Sequence, residues 1–344
     1  MKTGSVSVID FFSGCGGTSA GFKSSGMRIL GGLDHDPDSA RTFRANFPRA
    51  GFIERDIRSV SLDEVRSLYR GNGPVLFAGC APCQPFSKHN RSTSLADPRR
   101  DLLKEFERFV VGLMPDFVVI ENVPGLQSGS SKWTALTQMV RRLRKAGYYL
   151  ESSVLRALDF GVPQERRRLV VVASLHGHAR LPEPTHGVTP GLDFVTVRQA
   201  IGHMAELEHG DVDAYDSDHA AMRLSPLNLA RIRSTPEGGD RRDWVSSLVP
   251  ACHSDHKGHS DSYGRMWWDR PASGLTTRCL SYSNGRFGHP EQDRAISLRE
   301  AALLQTFPQR FRFVGSLTSR GMQVGNAVPP LMARRIGEAL VATT

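Results

Sequence analysis

Short, almost unbroken apolar runs alternate with amphipathic stretches through the first half of the chain. Val6-Ser7-Val8-Ile9, Arg28-Ile29-Leu30-Gly31-Gly32-Leu33, Val75-Leu76-Phe77-Ala78 and Phe117-Val118-Val119-Ile120 read as buried strands, the last most plainly. Between them a glycine-rich turn over 11–17 opens a helix to about Met27, and Pro37 opens another towards Asn46. Phe52-Ile53 leads to Asp56-Ile57, and 106–113 belongs to a third helix. Farther on, the pattern predicts a helix over 133–146 and strands over 150–155 and 169–173. This βαβαβ order argues for a parallel sheet with helices on both faces.

From about Leu181 the texture changes. Prolines at 182, 184 and 190 mark a linker, and 203–294 is rich in Gly, Ser, His, Asp and Arg with little period. Trp244, Trp267, Trp268, Tyr263, Tyr282 and Phe287 lie in it. Basic residues interleaved with aromatics suit nucleic-acid contact, while a small irregular domain needs the same aromatics for its own core. The pattern leaves both open. Helical character returns at Ser297-Leu298-Arg299-Glu300, which has the form of a capping box, and a final helix is expected over 330–340. No internal repeat is visible.

At 344 residues the chain is long enough for one large domain and a smaller one. The start, MKTGSVSVIDFF, lacks the apolar core of a secretion signal, and no apolar run approaches membrane-spanning length. A protein without membrane contact is therefore expected, cytoplasmic (nucleoid-associated) if the source is bacterial and nuclear if it is a eukaryote. Five cysteines, odd in number and unevenly spaced, argue against a disulfide framework. Cys80 and Cys83 form a single CxxC that Cys252, His253, His256 and His259 could complete as a zinc site, but the tight ligand pairs of structural zinc are absent from the sequence, and no metal is expected. Net charge is +9, carried by 37 Arg and 7 Lys. Codon bias in a GC-rich genome and phosphate recognition both fit that ratio. The local excess decides more: 141–180 holds nine Arg or Lys against three acids, which favours a polyanion partner.

In parallel sheets ligands bind at the carboxyl ends of the strands. Here the strand ends carry the glycine turn, Asp34, Cys83 and Glu121-Asn122, with Asp56 in an adjoining connection. A glycine turn alone serves equally as a tight turn, and Asp34 and Asp56 serve equally as helix caps. Their convergence on one edge is more informative than any one of them. Cys83, framed by Pro82 and Pro85, is poorly suited to a core and well suited to aim a thiol.

Taken together and in order, these residues resemble the DNA (cytosine-5-)-methyltransferase family. Asp10-Phe11-Phe12-Ser13-Gly14-Cys15-Gly16-Gly17 resembles its S-adenosyl-L-methionine (AdoMet) loop, and Pro82-Cys83-Gln84-Pro85-Phe86-Ser87 its catalytic motif. Glu121-Asn122-Val123 resembles its ENV motif and Gln164-Glu165-Arg166-Arg167-Arg168 its QxRxR motif. The segments 299–308 and 325–329 resemble its closing motifs, and the likeness spans nearly the whole chain apart from roughly 203–262. Cys80 departs from the glycine that many relatives carry there.

The resemblance implies an α/β, Rossmann-like AdoMet-dependent methyltransferase domain over 1–195 and 295–344, with a small target-recognition domain inserted over 196–294. It implies Cys83 as the nucleophile adding to cytosine C6, Glu121 as proton donor at N3, Arg168 on the cytosine O2, and Arg166 assisting or bracing the thiol environment. Asn122 would orient the catalytic loop and 87–100 would be a lid over the flipped base. Cofactor contacts would come from Phe12, Gly14, Cys15, Gly16, Asp34 (ribose), His35 (adenine), Asp56, Ile57, Leu102, Asn326 and Val328. The expected partner is double-stranded DNA, with a monomeric enzyme and a cognate restriction endonuclease acting on the same site. A tRNA methyltransferase of the same architecture and a catalytically silent DNA-binding relative are the competing readings. Neither the recognition sequence nor the base that removes the C5 proton is legible.

Overall fold

A computed structural model of the chain describes residues 5–69, 73–81, 102–124, 135–187, 191–250 and 261–342. The elements, in chain order, are β1 (Ser7–Phe11), α1 (Gly17–Ser24), β2 (Arg28–Asp34), α2 (Pro37–Asn46), β3 (Gly51–Glu54), α3 (Leu62–Ser67), β4 (Val75–Gly79), α4 (Leu102–Leu113), β5 (Phe117–Asn122), α5 (Ala135–Lys145), β6 (Tyr149–Arg156), β7 (Gln164–Glu165), β8 (Arg167–Ser174), α6 (Val197–Ile201), α7 (Pro226–Arg233), β9 (Ala272–Ser273), α8 (Leu298–Leu304), α9 (Leu317–Asn326) and α10 (Pro330–Val341). None of the described helices is long and apolar enough to cross a membrane. Two compact units emerge: one of Met1–Arg156, Arg167–Pro184 and Val328–Thr344, the other of Ala157–Arg166 and Thr185–Ala327. Compactness thus divides the chain at points other than the functional division expected from its motifs.

The first unit is built on a seven-stranded sheet in the order β3-β2-β1-β4-β5-β8-β6. Neighbours from β3 to β5 pair in parallel, and only β8 is reversed, antiparallel to both β5 and β6. The sheet is therefore mostly parallel, as the Rossmann-like resemblance implies. Its reversed strand follows β6 without an intervening helical period, and antiparallel neighbours need no crossover helix.

Strands β1, β4 and β5 are buried at every position, which is why they read as continuous apolar runs. Alternate residues feed opposite faces. Ile9, Phe11, Phe77, Val118 and Ile120 join one core with Val65 of α3, Phe106, Phe109 and Val110 of α4, and Leu136, Met139 and Leu143 of α5. At its centre Phe11 packs on Phe77, Phe106 and Phe109 with ring centroids 5.1, 5.1 and 5.2 Å away. Burying each such ring contributes about 1.5–3 kcal/mol.

On the other face α1 lies against α10, so the end of the chain packs on its beginning. The contact is close because Gly21 carries no side chain: a Cβ there would sit 2.3 Å from the Pro330 carbonyl oxygen and 2.5 Å from Ala333 Cβ. Helix starts follow their sequence signals. Asp36 caps α2 by accepting from the Ser39 amide at 2.7 Å, with Pro37 in the first position.

The second unit is largely irregular, and buried arginines organise it. Among the described residues Arg166, Arg231, Arg241, Arg265, Arg286, Arg294 and Arg299 are all buried. Arg265 donates to the carbonyls of Thr235 (2.7 Å), Ile232 (3.0 Å), His289 (2.9 Å) and Gln292 (2.5 Å) and pairs with Asp293. Arg286 donates to those of Gly238 (2.7 Å), Gly239 (2.9 Å) and Arg265 (3.0 Å). Chain without regular structure leaves carbonyls that need donors, and a guanidinium offers five in a fixed fork. Arg294 and Glu300 form a wholly buried pair, both bonds 2.7 Å, and Glu300 and Ser297 complete the capping box at the start of α8. Of the aromatics, Trp244 and Tyr282 are core residues with Tyr263 packed against them. Trp267 is flanked by Arg270 and Arg286 at 4.9 and 4.4 Å. Part of the arginine excess is therefore structural in this unit.

Candidate active site

Parallel pairing brings the carboxyl ends of β1, β2, β4 and β5 to one edge of the first unit. After β1 the backbone turns sharply through left-handed conformations at Phe12 (φ 54°), Gly14 (φ 51°) and Gly16 (φ 94°). Phe12 holds this conformation against the usual preference of a bulky residue, a strain that marks a functional turn. A Cβ at Gly16 would lie 2.6 Å from the Phe47 ring, whereas one at Gly14 would meet nothing within 4 Å. The turn is thus closed towards the protein at Gly16 and open at Gly14. Cys15 is buried, and burial pushes its thiol up to about 12, so its side chain is inert.

Asp34, at the end of β2, fixes this turn. Its Oδ2 accepts from the Gly14 amide at 2.9 Å and its Oδ1 from the Asp36 amide at 3.0 Å. A carboxylate has about four acceptor positions, so two remain for a ligand's hydroxyls. His35 is exposed beside it, with Nδ1 3.5 Å from Asp34 Oδ1. Asp56 caps the turn Ile57–Ser59 and is held in a fork by Arg58, with Oδ1 accepting from Nε at 2.9 Å and Oδ2 from Nη2 at 2.6 Å. That pairing, outweighing a small desolvation, lowers its carboxyl to about 2. Ile57 is buried in the core, Leu102 is half-buried at the start of α4, and Val328 is buried just before α10.

The end of β5 carries the second cluster. Glu121, 9% exposed, is paired with Arg168 at the start of the reversed strand, Nε to Oε1 2.5 Å. The reversal of β8 makes this possible: its first residues lie at the edge where the parallel strands end. Arg167 between its two neighbours is exposed, as strand alternation requires. Asn122 spans to the neighbouring strand, its Nδ2 donating to the Ala81 carbonyl at 3.3 Å while its Oδ1 accepts from the Val123 amide at 2.7 Å. It thereby anchors the backbone immediately before Pro82-Cys83. Cys83 itself and the 87–100 segment lie outside the described residues.

Cys80 sits behind this edge, Sγ 3.8 Å from Thr18 Oγ1. Burial, and then the charges of Glu121 and Asp10, push its thiol well above the ordinary range, which suits a bystander rather than a nucleophile. In the second unit Arg166 is buried and donates from Nη1 to the carbonyls of Leu275 (2.7 Å) and Gly325 (3.2 Å), and from Nη2 to that of Asn326 at 3.4 Å. Asn326 is the last residue of α9.

Sequence reasoning passed over Asp10. It lies in the middle of a buried strand, fully inaccessible, with Oδ2 accepting from Ser19 Oγ at 2.7 Å and Oδ1 without a hydrogen-bond partner among the described residues. A carboxylate between Ile9 and Phe11 was itself the signal, because charge in a buried strand is costly. Burial raises its carboxyl from 3.8 to about 7, with the Ser19 bond opposing and the Asp34 charge adding to the shift. Folded Asp10 keeps its proton up to about pH 7 but unfolded Asp10 loses it near 3.8, so stability falls as pH rises between those values and levels off above. Asp10→Asn stays neutral throughout and should gain about 3 kcal/mol on the unmodified protein between about pH 5 and pH 8. Urea midpoints of the two proteins at those pH values check this.

The edge holds a glycine turn tied to an acid and, next to it, a carboxylate–guanidinium pair beside the anchored lead-in to Cys83. Similar proteins match almost the whole chain. The Type II methylase M.HgiDII of Herpetosiphon aurantiacus is 41% identical over 339 residues, covering 97% of this chain and 94% of its own length. The Type II methyltransferase M1.HphI of Haemophilus parahaemolyticus is 36% identical, with 98% and 87% covered. Among solved structures, an E. coli prophage-encoded protein superposes with a TM-score of 0.77 at 23% identity, covering 98% of this chain and 99% of that one. The Entamoeba histolytica methyltransferase EhMeth does so at 0.67 and 17%, with 99% of each covered. These likenesses bear out the Rossmann-like α/β fold with its mostly parallel sheet. The C-5 cytosine-specific DNA methylase description matches residues 6–342, and this chain belongs to that family.

Proposed function

We propose that this protein methylates C5 of a cytosine flipped out of double-stranded DNA, using AdoMet as donor and Cys83 as covalent nucleophile, and that it is the modification enzyme of a restriction–modification system. The observation that carries the reading is the Glu121–Arg168 pair at the strand end beside the Asn122-anchored entry to Cys83. The type II names of the relatives support the biological role, alongside a cognate endonuclease that cuts at the same site.

Cytosine C5 is too weak a nucleophile to take a methyl group unaided. The Cys83 thiolate adds its electron pair to C6, the C5–C6 double bond opens, and charge is driven towards N3, where Glu121 delivers a proton. Arg168 holds O2 and stabilises the charge developing on the ring, and its planar fork can serve Glu121 and the base together. AdoMet, when bound, supplies an electrophilic methyl group for the enamine-like C5. Loss of the C5 proton to a base, departure of the Cys83 thiolate from C6 with its electron pair, and return of the N3 proton to Glu121 restore the aromatic ring. Flipping the base out of the duplex costs a few kcal/mol. Arg166, buried and donating to the carbonyls of Leu275, Gly325 and Asn326, suits a bracing part better than contact with the base. Residues 196–294 are assigned to reading the DNA sequence.

The fit of the cofactor rests on Asp34 and the turn it ties. Gly14 faces open space where the methionine portion would lie, and the two spare acceptor positions of Asp34 would take the ribose hydroxyls. His35, Asp56 and Ile57 are placed on the adenine side of this reading, with Phe12, Leu102, Asn326 and Val328 completing the set. Asp34→Ala should raise the Kd for AdoMet about ten- to a hundredfold, read by calorimetric titration. The function as a whole is tested by expression in a host lacking DNA methylation, followed by bisulfite sequencing. Protected cytosines in one recurrent context are expected. Unprotected DNA with methyl label in tRNA instead would overturn the reading.

A further inference from the structure

One buried carboxylate of the first unit has no part in the chemistry and no cation paired with it among the described residues. Asp10 lies in β1 two positions before the strained Phe12, and its side chain leaves the core face of Ile9 and Phe11 for the face covered by α1. Its Oδ2 accepts from Ser19 of α1 at 2.7 Å, and its Oδ1 is buried without a hydrogen-bond partner among the described residues. Ser13 Oγ, in the turn, is buried and unpartnered in the same sense. Gly32, opposite Asp10 in β2, would bring a Cβ within 2.9 Å of that hydroxyl, so both orphaned atoms belong to one face of the sheet.

The titratable groups whose charge bears on Asp10 are acids and thiols: Asp34 at the end of β2, Cys15 in the turn and Cys80 after β4. From α1 come hydroxyls, Ser19 on Asp10 and Thr18 on Cys80, and from α2 the Phe43 ring beside Gly32. On α10, which covers α1, Arg334 and Arg335 are engaged with Glu338. Asp34 pairs with His35 and with no lysine or arginine among the described residues. Holding α1 explains little of this, because a neutral asparagine would take the Ser19 bond equally well. The carboxyl instead costs stability, since burial raises it to about 7. A group that breaks the rules of a buried strand at such a cost is expected at a functional site. The turn beyond it is where the methionine end of AdoMet is placed, and AdoMet brings a charge there. Its sulfur is a cationic sulfonium, whereas the sulfur of S-adenosyl-L-homocysteine, left after methyl transfer, is a neutral thioether. At low dielectric an uncompensated carboxylate acts on such a charge well beyond hydrogen-bond distance.

We propose that Asp10 is a specificity-determining residue for the cofactor, its ionised carboxylate favouring the sulfonium of AdoMet over the neutral thioether of the product. The proposal rests on AdoMet as the donor and deepens that reading. Linkage fixes the sign. A cation that stabilises ionised Asp10 lowers its pKa in the complex, so binding expels a proton to solvent, and affinity rises with pH up to about 7 and then levels off. Calorimetric titration of AdoMet at about pH 7, in two buffers of different ionisation enthalpy, should show release of about 0.4 proton for a lowering of about one unit. The AdoMet Kd should tighten about fivefold from about pH 5.5 to about pH 7.5, and that of S-adenosyl-L-homocysteine less than about twofold. Asp10→Asn should abolish both the proton release and the difference between the ligands. Ser19→Ala keeps the carboxylate and removes a bond that opposes its shift, so the pH dependence should move upward and persist. Proton release surviving in Asp10→Asn overturns the proposal, as does an equal pH dependence for the two ligands. The comparison of ligands on the unmodified protein decides even where a variant folds poorly. Failure of AdoMet to bind at all would instead strike the donor assignment, and the proposal with it.

Discussion

Methyl transfer should disappear when Cys83 is replaced by alanine, falling by at least about 10⁴-fold, while AdoMet affinity stays within about twofold. The reasoning is chemical. Without an electron pair donated at C6, cytosine C5 has no route to the nucleophilicity the methyl group demands, and no neighbouring thiol can substitute. Cys80 is held protonated by burial and by the carboxylates around it, and Cys15 is sealed in the core. Cofactor affinity survives because the glycine turn and Asp34, on which the cofactor reading rests, follow β1 and β2 and are tied by the Gly14–Asp34 bond rather than by the turn after β4. Methyl incorporation into DNA, measured beside a calorimetric AdoMet titration, separates the two effects. Turnover retained in the variant would remove Cys83 as nucleophile.

Glu121→Gln should slow the reaction by about 10²–10⁴-fold, the range of a lost general acid. The amide keeps the shape and can still meet N3, but unlike a carboxyl group it cannot take up a proton and hand it on, and Arg168 loses a carboxylate neighbour. The same substitution leaves Asn122 and its bond to Ala81 in place, so the approach to Cys83 should be preserved. Single-turnover methylation at saturating DNA isolates the chemical step. A near-normal rate there would take the proton role away from Glu121.

The first unit was largely legible because its signals are local. Continuous apolar runs gave β4 and β5, and Pro37 placed the start of α2. Strand ends then gathered Asp34, Glu121 and the lead-in to Cys83 without any long-range information. The reversal of β8 escaped, since a buried strand reads the same in either direction. Helices α3 and α9 also escaped: one is only six residues long, and the other, LTSRGMQVGN, has glycines at 321 and 325 and little apolar stripe. The second unit was illegible for a different reason. Its order comes from Arg265 reaching carbonyls as far away as Gln292, and from Arg166 reaching Gly325, contacts that leave no period in the sequence. For that reason the interleaved arginines and aromatics fitted a binding surface and a small core alike in the sequence, and several of them are an interior.

The packing of α10 on α1 at Gly21 ties the order of synthesis to the moment of activity. The sheet and the glycine turn emerge from the ribosome early, but the helix that covers α1 is made only after all of Thr185–Ala327. At ordinary elongation rates that interval is roughly ten to thirty seconds. During it the nascent chain carries the thiol loop and the carboxylate–arginine pair on a unit whose other face still lacks its last helix. A chain stalled or truncated before Val328 would keep the glycine turn, Asp34 and the Glu121–Arg168 pair but lack the helix packed on α1, so the finished unit waits on translation past all of Thr185–Ala327.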